Sequence, residues 1–196
     1  MSHYFVNDPN LRSEENTYLV NMFNQDFKFI SDKGVFSGTK LDYGTRLLLS
    51  SLKLTGHEKS ILDVGTGIGV IGIILKKVYP NILVSAVDVN LRAINLAKKN
   101  AALNTVDVSI FESNLYEKVQ GKFDVVISNP PIRAGKEVLY KLYQESLNYL
   151  NKDGYLIIVI RKQHGAKSTI TYLQTLFKSV EVVTKDKGFF IIKSKI

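Results

Sequence analysis

The chain has 196 residues, 26 basic and 18 acidic side chains, a net charge of +8, 45% hydrophobic residues and no cysteine. That is the size of one domain, able to bury roughly 70% of its unfolded surface without a staple. The missing cysteine excludes disulfides, thiolate zinc sites, iron–sulfur clusters and a cysteine nucleophile, and it suits a reducing compartment.

The N-terminal stretch 1–10 is polar, without the apolar centre of a signal peptide. No apolar run approaches the ~18 residues that span a bilayer. A cytoplasmic protein that does not enter the membrane is expected. Residues 1–33 read as a cap with short strands around Phe27–Ile30. The stretch GVFSGTKLDYGTR (34–46) holds three glycines and reads as a loop, and 47–54 reads as the end of a helix. From position 60 strands and helices alternate. Strands are predicted at 61–64, 83–87, 108–111, 123–127 and 155–160, with helices over 70–78, 91–104, 136–150 and 168–177. Two last strands, 180–183 and 189–192, flank the turn KDKG. Alternation of this kind predicts an α/β fold: an open, mostly parallel, seven-stranded Rossmann-like sheet with helices on both faces and a C-terminal antiparallel hairpin. Residues 1–55 form the cap and loop, and 56–196 the core. Ligands of such sheets bind beyond the carboxyl ends of the strands.

After the first core strand comes Asp63-Val64-Gly65-Thr66-Gly67-Ile68-Gly69. Spaced glycines at a helix start allow a tight turn and close approach of a ligand to backbone N–H groups. The second core strand ends at Asp88, 21 residues beyond Gly67. A carboxylate there can accept from both hydroxyls of a ribose. Asn90 already suits the helix cap that follows, which leaves Asp88 for a ligand. Glycine loop and acid together predict an adenosine-containing cofactor, either NAD or S-adenosylmethionine.

The strand 123–127 runs into Ser128-Asn129-Pro130-Pro131-Ile132. Two prolines make a rigid, extended turn. It fixes the Asn129 side chain and the Pro130 carbonyl as two acceptors facing the crevice.

Together, DVGTGIG, Asp88 and NPPI resemble the class I S-adenosylmethionine-dependent methyltransferases that modify a planar nitrogen. Members with an N-P-P-aromatic tetrapeptide act on exocyclic amines of adenine or guanine, or on glutamine amides. The stretches GVFSGTKLDYGTRLLL, SNLYE and FDVVISNPPIRAGK extend the resemblance over nearly the whole chain, to the RsmC-type guanine-N2 methyltransferases of small-subunit (16S) ribosomal RNA. Longer members have two methyltransferase-like halves, and this chain resembles the C-terminal, catalytic one.

The resemblance implies S-adenosylmethionine as cofactor and ribosomal RNA, or the small ribosomal subunit, as partner. It implies that Asp63, Gly65, Thr66, Gly67 and Gly69 line the methionine part, that Asp88 and Val89 meet the ribose, and that Asn114 and Leu115 meet the adenine edge. Thr45 and Phe36 would close over the site. Asn129 and Pro130, with Pro131 and Ile132 completing the turn, would hold the target amine beside the cofactor. Ile132 departs from the aromatic residue of many relatives, so base stacking falls to Phe36 or Arg133. Lys136, Arg161, Lys162 and Lys167 would meet phosphates.

Charge agrees with that partner. Residues 133–196 carry 12 basic and 5 acidic side chains, whereas residues 1–60 carry 7 of each. Such a bias attracts polyanions, although lysines on a solvated face also serve solubility alone. No metal site is expected, since the three histidines are scattered. Four alternatives stay open at this point. A protein-glutamine methyltransferase usually has Tyr after the prolines and a larger N-terminal helical domain. An adenine-N6 enzyme usually adds a target-recognition domain. An NAD oxidoreductase has no use for NPPI. A catalytically silent RNA-binding protein on the same fold would keep the charge without the turnover.

Overall fold

The computed structural model describes residues 13–33, 35, 40–130 and 135–196. Phe36, Pro131, Ile132 and Arg133 lie outside them. The chain runs β1 (Asn16–Met22), β2 (Gln25–Ser31), α1 (Tyr43–Ser51), β3 (Ser60–Val64), α2 (Val70–Val78), β4 (Leu83–Asp88), α3 (Leu91–Leu103) and β5 (Ser109–Glu112). It continues through β6 (Phe123–Ser128), α4 (Lys136–Tyr149), β7 (Leu150–Arg161), α5 (Ala166–Leu176), β8 (Ser179–Asp186) and β9 (Phe189–Lys195).

Seven strands build one sheet in the order β5-β4-β3-β6-β7-β9-β8. The first five in that order pair in parallel, and β9 runs antiparallel to both its neighbours. The strands read as continuous apolar runs because both faces are covered. Alternate residues divide between two cores. Ile61, Val125, Ile127, Ile157 and Val159 pack with α1, α2 and α3. Leu62, Val126, Leu156, Ile158 and Ile160 pack with α4 and α5.

The strand order turns at β3, which has β4 on one side and β6 on the other. A crevice therefore opens beyond the carboxyl ends of β3 and β6, as is usual where the winding of an open sheet reverses. Ser128 fixes its width: its hydroxyl donates to the Val64 carbonyl at 2.7 Å, tying the two strand ends together.

Three elements differ from the sequence reading. The cap is a complete hairpin, β1–β2, rather than a strand around Phe27–Ile30. Its turn residues, Phe23 and Asn24, both take positive φ (53° and 57°). Phenylalanine in that conformation gives no turn signal. The loop read over 34–46 gives way to α1 already at Tyr43, because the Asp42 side chain accepts from the Thr45 N–H at 3.0 Å and caps the helix, which ends at Ser51 within the stretch 47–54 read as a helix end. Gly44, read as a loop residue, lies inside that helix. A Cβ there would sit 2.8 Å from the Phe189 ring, so close packing requires the glycine. Finally, the C-terminal strands are longer than predicted. Asp186 still pairs with Phe189, which leaves Lys187 and Gly188 as a two-residue turn.

One side chain of α3 and that of its C-cap residue bind the hairpin to the core. Asn100 accepts from the Ile30 N–H at 2.7 Å and donates to the carbonyls of Ile30 (3.0 Å) and Ile68 (2.9 Å). One turn later Asn104 accepts from the Lys28 N–H at 3.1 Å and donates to the Lys28 carbonyl at 2.7 Å. The two amides do for the edge of β2 what a third strand would do.

Candidate active site

The glycine loop hangs from the end of β3. Gly65, Gly67 and Gly69 have φ of 74°, 56° and 89°, the left-handed region that favours glycine. Four of its N–H groups are taken up within the protein rather than presented to a ligand as the sequence suggested. Those of Gly65 and Thr66 both donate to the Val87 carbonyl at 2.9 Å, that of Gly67 to the Asp88 carboxylate at 2.8 Å, and that of Gly69 to the Thr66 carbonyl at 3.1 Å. What the loop offers is room: a Cβ on Gly67 would meet nothing within 4 Å. Gly69 is different. A Cβ there would lie 2.9 Å from Ile73 Cδ1 and 3.1 Å from Ala97 Cβ, so this glycine serves the packing of α2 against α3.

Asp63 is fully buried under the loop. Its Oδ2 accepts from Thr66 Oγ1 at 2.5 Å and from the Gly72 N–H at 3.1 Å. Its Oδ1 is buried without a hydrogen-bond partner among the described residues. Burial pushes the carboxyl from 3.8 up to about 7, against the two hydrogen bonds. Asp88 is only partly covered, and its oxygens accept from Asn90 N–H (2.9 Å) and Gly67 N–H (2.8 Å). Desolvation outweighs those bonds and holds it above the usual carboxylate range. Asn90 caps α3 by accepting from the N–H groups of Arg92 and Ala93, as the sequence suggested. Val89 is half-buried beside Asp88. The turn after β5 is joined to it by the Ser113 N–H, which donates to the Asp88 carbonyl at 2.9 Å. There Asn114 is exposed and donates to Glu117 at 2.7 Å, and Leu115 is half-buried with a φ of 51°.

Across the crevice, Asn129 leaves the end of β6. Its Nδ2 donates to Thr45 Oγ1 at 2.8 Å and to Asp42 Oδ2 at 3.1 Å. Both amide protons are thus engaged, and Oδ1 is the side of the group left to accept. Pro130 is buried behind it. Thr45 reaches the site from α1, not from a loop, and meets Asn129. Asp42 is not among the residues the sequence singled out, although an Asp just ahead of an apolar run is a helix-start signal.

The cations fall on one rim. Arg161 lies over the Phe189 ring at 4.6 Å, and the Lys162 N–H donates to the Gly188 carbonyl at 2.7 Å, joining the end of β7 to the β8–β9 turn. Lys187 in that turn lies over the Tyr43 ring at 4.7 Å, and the Tyr43 hydroxyl donates to Asp186. Lys167 is exposed on α5 and Lys136 on α4, the latter over the Tyr140 ring at 5.0 Å. Among the described residues no group of His, Asp or Glu could hold a metal, and no helix is long and apolar enough to cross a membrane.

An open space over Gly67, an unpartnered buried carboxylate oxygen and a half-open acid at the end of β4 fit an adenosine cofactor with a cationic amino-acid tail. The model of the methyltransferase small domain family matches residues 26–193, and the chain belongs to that family. It is an S-adenosylmethionine-dependent methyltransferase, similar to RsmC enzymes. Over 98% of both chains it is 41% identical to the uncharacterized protein YbxB of Bacillus subtilis (strain 168). It is 36% identical to the ribosomal RNA small subunit methyltransferase C of Aeromonas hydrophila, over 83% of this chain and 47% of that one. The chain spans about half the length of the RsmC relatives it matches. Its fold is shared with the 16S rRNA N2 methyltransferase RsmC of T. thermophilus, solved in complex with AdoMet and guanosine. The TM-score is 0.84 at 21% identity, covering 95% of this chain and 52% of that one.

Proposed function

We propose that the protein methylates the exocyclic N2 amine of a guanosine in small-subunit (16S) ribosomal RNA. One observation carries the reading: Asn129, across the crevice from the glycine loop, has both amide protons engaged and its Oδ1 left as an acceptor. The names of the RsmC relatives and the basic rim support an RNA substrate.

S-adenosylmethionine supplies, when bound, an electrophilic methyl group on a sulfonium. Asp63, Gly65, Thr66 and Gly67 would hold its methionine part, Asp88 and Val89 its ribose, and Asn114 and Leu115 its adenine. Gly69 acts through packing. The guanine amine is a poor nucleophile because its lone pair is delocalised into the ring. Asn129 Oδ1 and the Pro130 carbonyl each accept one amine hydrogen. That orientation would favour a pyramidal nitrogen whose lone pair is turned toward the cofactor side of the crevice. No base is required before attack, because the methylated nitrogen is cationic and loses its proton afterwards. Arg161, Lys162, Lys167 and Lys136 would meet phosphates of an exposed or flipped nucleotide.

The test is transfer of tritium from labelled S-adenosylmethionine into small-subunit RNA, naked and assembled, from cells lacking the protein. Label recovered as N2-methylguanosine is the expected result. Label in protein amide or N6-methyladenosine would replace this substrate by one of its rivals. Cofactor binding with no transfer to RNA or protein would point to a silent RNA-binding role.

A further inference from the structure

We propose that Asp42 is a positioning residue for the methyl transfer, which with Thr45 fixes the orientation of the Asn129 side-chain amide. The inference rests on the role given above to Asn129. A primary amide has two faces of similar shape, one accepting and one donating, and only the accepting face can hold an amine hydrogen. An amide free to flip would present its NH2 group to the substrate part of the time.

The surroundings of Asn129 forbid the flip on chemical grounds. Asp42 Oδ2 lies 3.1 Å from Nδ2, and a carboxylate only accepts. In the reversed amide two oxygens would face each other there. Thr45 Oγ1, 2.8 Å from Nδ2, leans the same way, because it donates its own proton to Asp42 Oδ2, 3.4 Å away. One carboxylate oxygen thus gathers the Thr45 N–H, the Thr45 hydroxyl and the Asn129 amide. Asp42 and Thr45 sit on the first turn of α1, while Asn129 ends β6, so the start of one helix sets the polarity of a group 87 residues away in sequence. Asp42 itself touches neither cofactor nor amine in this scheme.

The experiment uses the full chain and two variants of Asp42. Asp42→Ser keeps a helix-cap acceptor for the Thr45 N–H, but it removes the charge and shortens the reach to Asn129. Asp42→Asn keeps the shape but can offer either an oxygen or an NH2 group. The first readout needs no turnover: water exchange of the Asn129 side-chain NH2 signals by NMR, assigned by their loss in Asn129→Ala. In the parent these protons are expected to be protected, and in Asp42→Ser to exchange at least about tenfold faster. The second readout is kinetic. A misoriented reacting group costs on the order of 10–100-fold in kcat, and the KM for S-adenosylmethionine is expected to stay within about twofold.

A folded variant with parental kcat and parental exchange overturns the proposal. So does a fall in kcat matched by an equal loss of cofactor affinity, which marks a merely structural role. If Asp42→Ser does not fold, Asp42→Asn decides by the same two readouts. The two readings fail separately. Protected amide protons in a parent that modifies no guanosine would sink the substrate assignment alone. Freely exchanging protons in a parent that makes N2-methylguanosine would sink the Asp42 assignment alone.

Discussion

Replacing Asp63 by Asn should stabilise the fold and weaken cofactor binding. The carboxyl is fully buried, and burial moves it from 3.8 to about 7. Because the folded state holds the proton more tightly than the unfolded one, stability falls as pH rises from about 4 and levels off above 7. Each pH unit of that window is worth about 1.4 kcal/mol, so the fold loses several kcal/mol by pH 8.5, where Asp63 is ionised, and less at pH 5, where the folded state still holds the proton. An Asn at this position has no charge to desolvate, and its oxygen can still accept from Thr66 and Gly72. Urea denaturation of parent and variant at the two pH values measures the difference. The variant's advantage should be on the order of 2–4 kcal/mol at pH 8.5 and markedly smaller at pH 5. Titration with S-adenosylmethionine supplies the other half. If the unpartnered Oδ1 receives the cofactor's ammonium group, the parent should bind more tightly at pH 7.5 than at pH 6, and the variant should lose that dependence. A pH-independent difference in stability, or a variant less stable at pH 8.5, would refute the argument.

Three other outcomes are expected. Asn129→Ala should leave S-adenosylmethionine affinity within about twofold by calorimetry while lowering kcat by about two to three orders of magnitude, as for one lost transition-state contact. Gly67→Ala and Gly69→Ala should part company. The first places a methyl in open space and is expected to weaken cofactor binding about tenfold or more at a stability cost of ~1–2 kcal/mol. The second drives a methyl onto Ile73 and Ala97 and should cost about 2–5 kcal/mol by urea denaturation, with the folded fraction still binding. Arg161→Ala and Lys187→Ala should each reduce the salt slope of RNA binding by about one, measured between 50 and 200 mM salt.

The sheet was legible because its strands are buried on both faces and punctuated by glycine, proline and asparagine. Continuous apolar runs such as Tyr155–Ile160 have few other homes. The cap at Asn90 was legible for a chemical reason, since an asparagine directly before an apolar-periodic run suits a helix start. What escaped were features that depend on distant partners. The helix at Tyr43 was masked by Gly44, whose reason is the Phe189 ring 145 residues later. The first hairpin strand was masked by a turn of Phe23 and Asn24 without glycine. At the site, spacing identified the glycine loop but not the use of its parts. Only the contact distances separate Gly67, open to a ligand, from Gly69, closed against a helix. Asp42 carried a local helix-start signal, and its second partner, Asn129, lies across the crevice in another element.

The asparagine pair at the C-terminal end of α3 sets how little of this chain could stand alone. A fragment trimmed to begin at β3 would keep every strand of the large sheet. It would also strip Asn100 and Asn104 of their partners on Ile30 and Lys28, and uncover the apolar surface under Phe27 and Phe29. Exposed apolar surface costs roughly 25 cal/mol per Å², and a native domain is separated from its unfolded chain by only about 5–15 kcal/mol. Asn100 also grips the Ile68 carbonyl inside the glycine loop, so the damage would reach the crevice. In the intact chain those same amides occupy one margin of the hairpin, which denies incoming strands a template for edge-to-edge association.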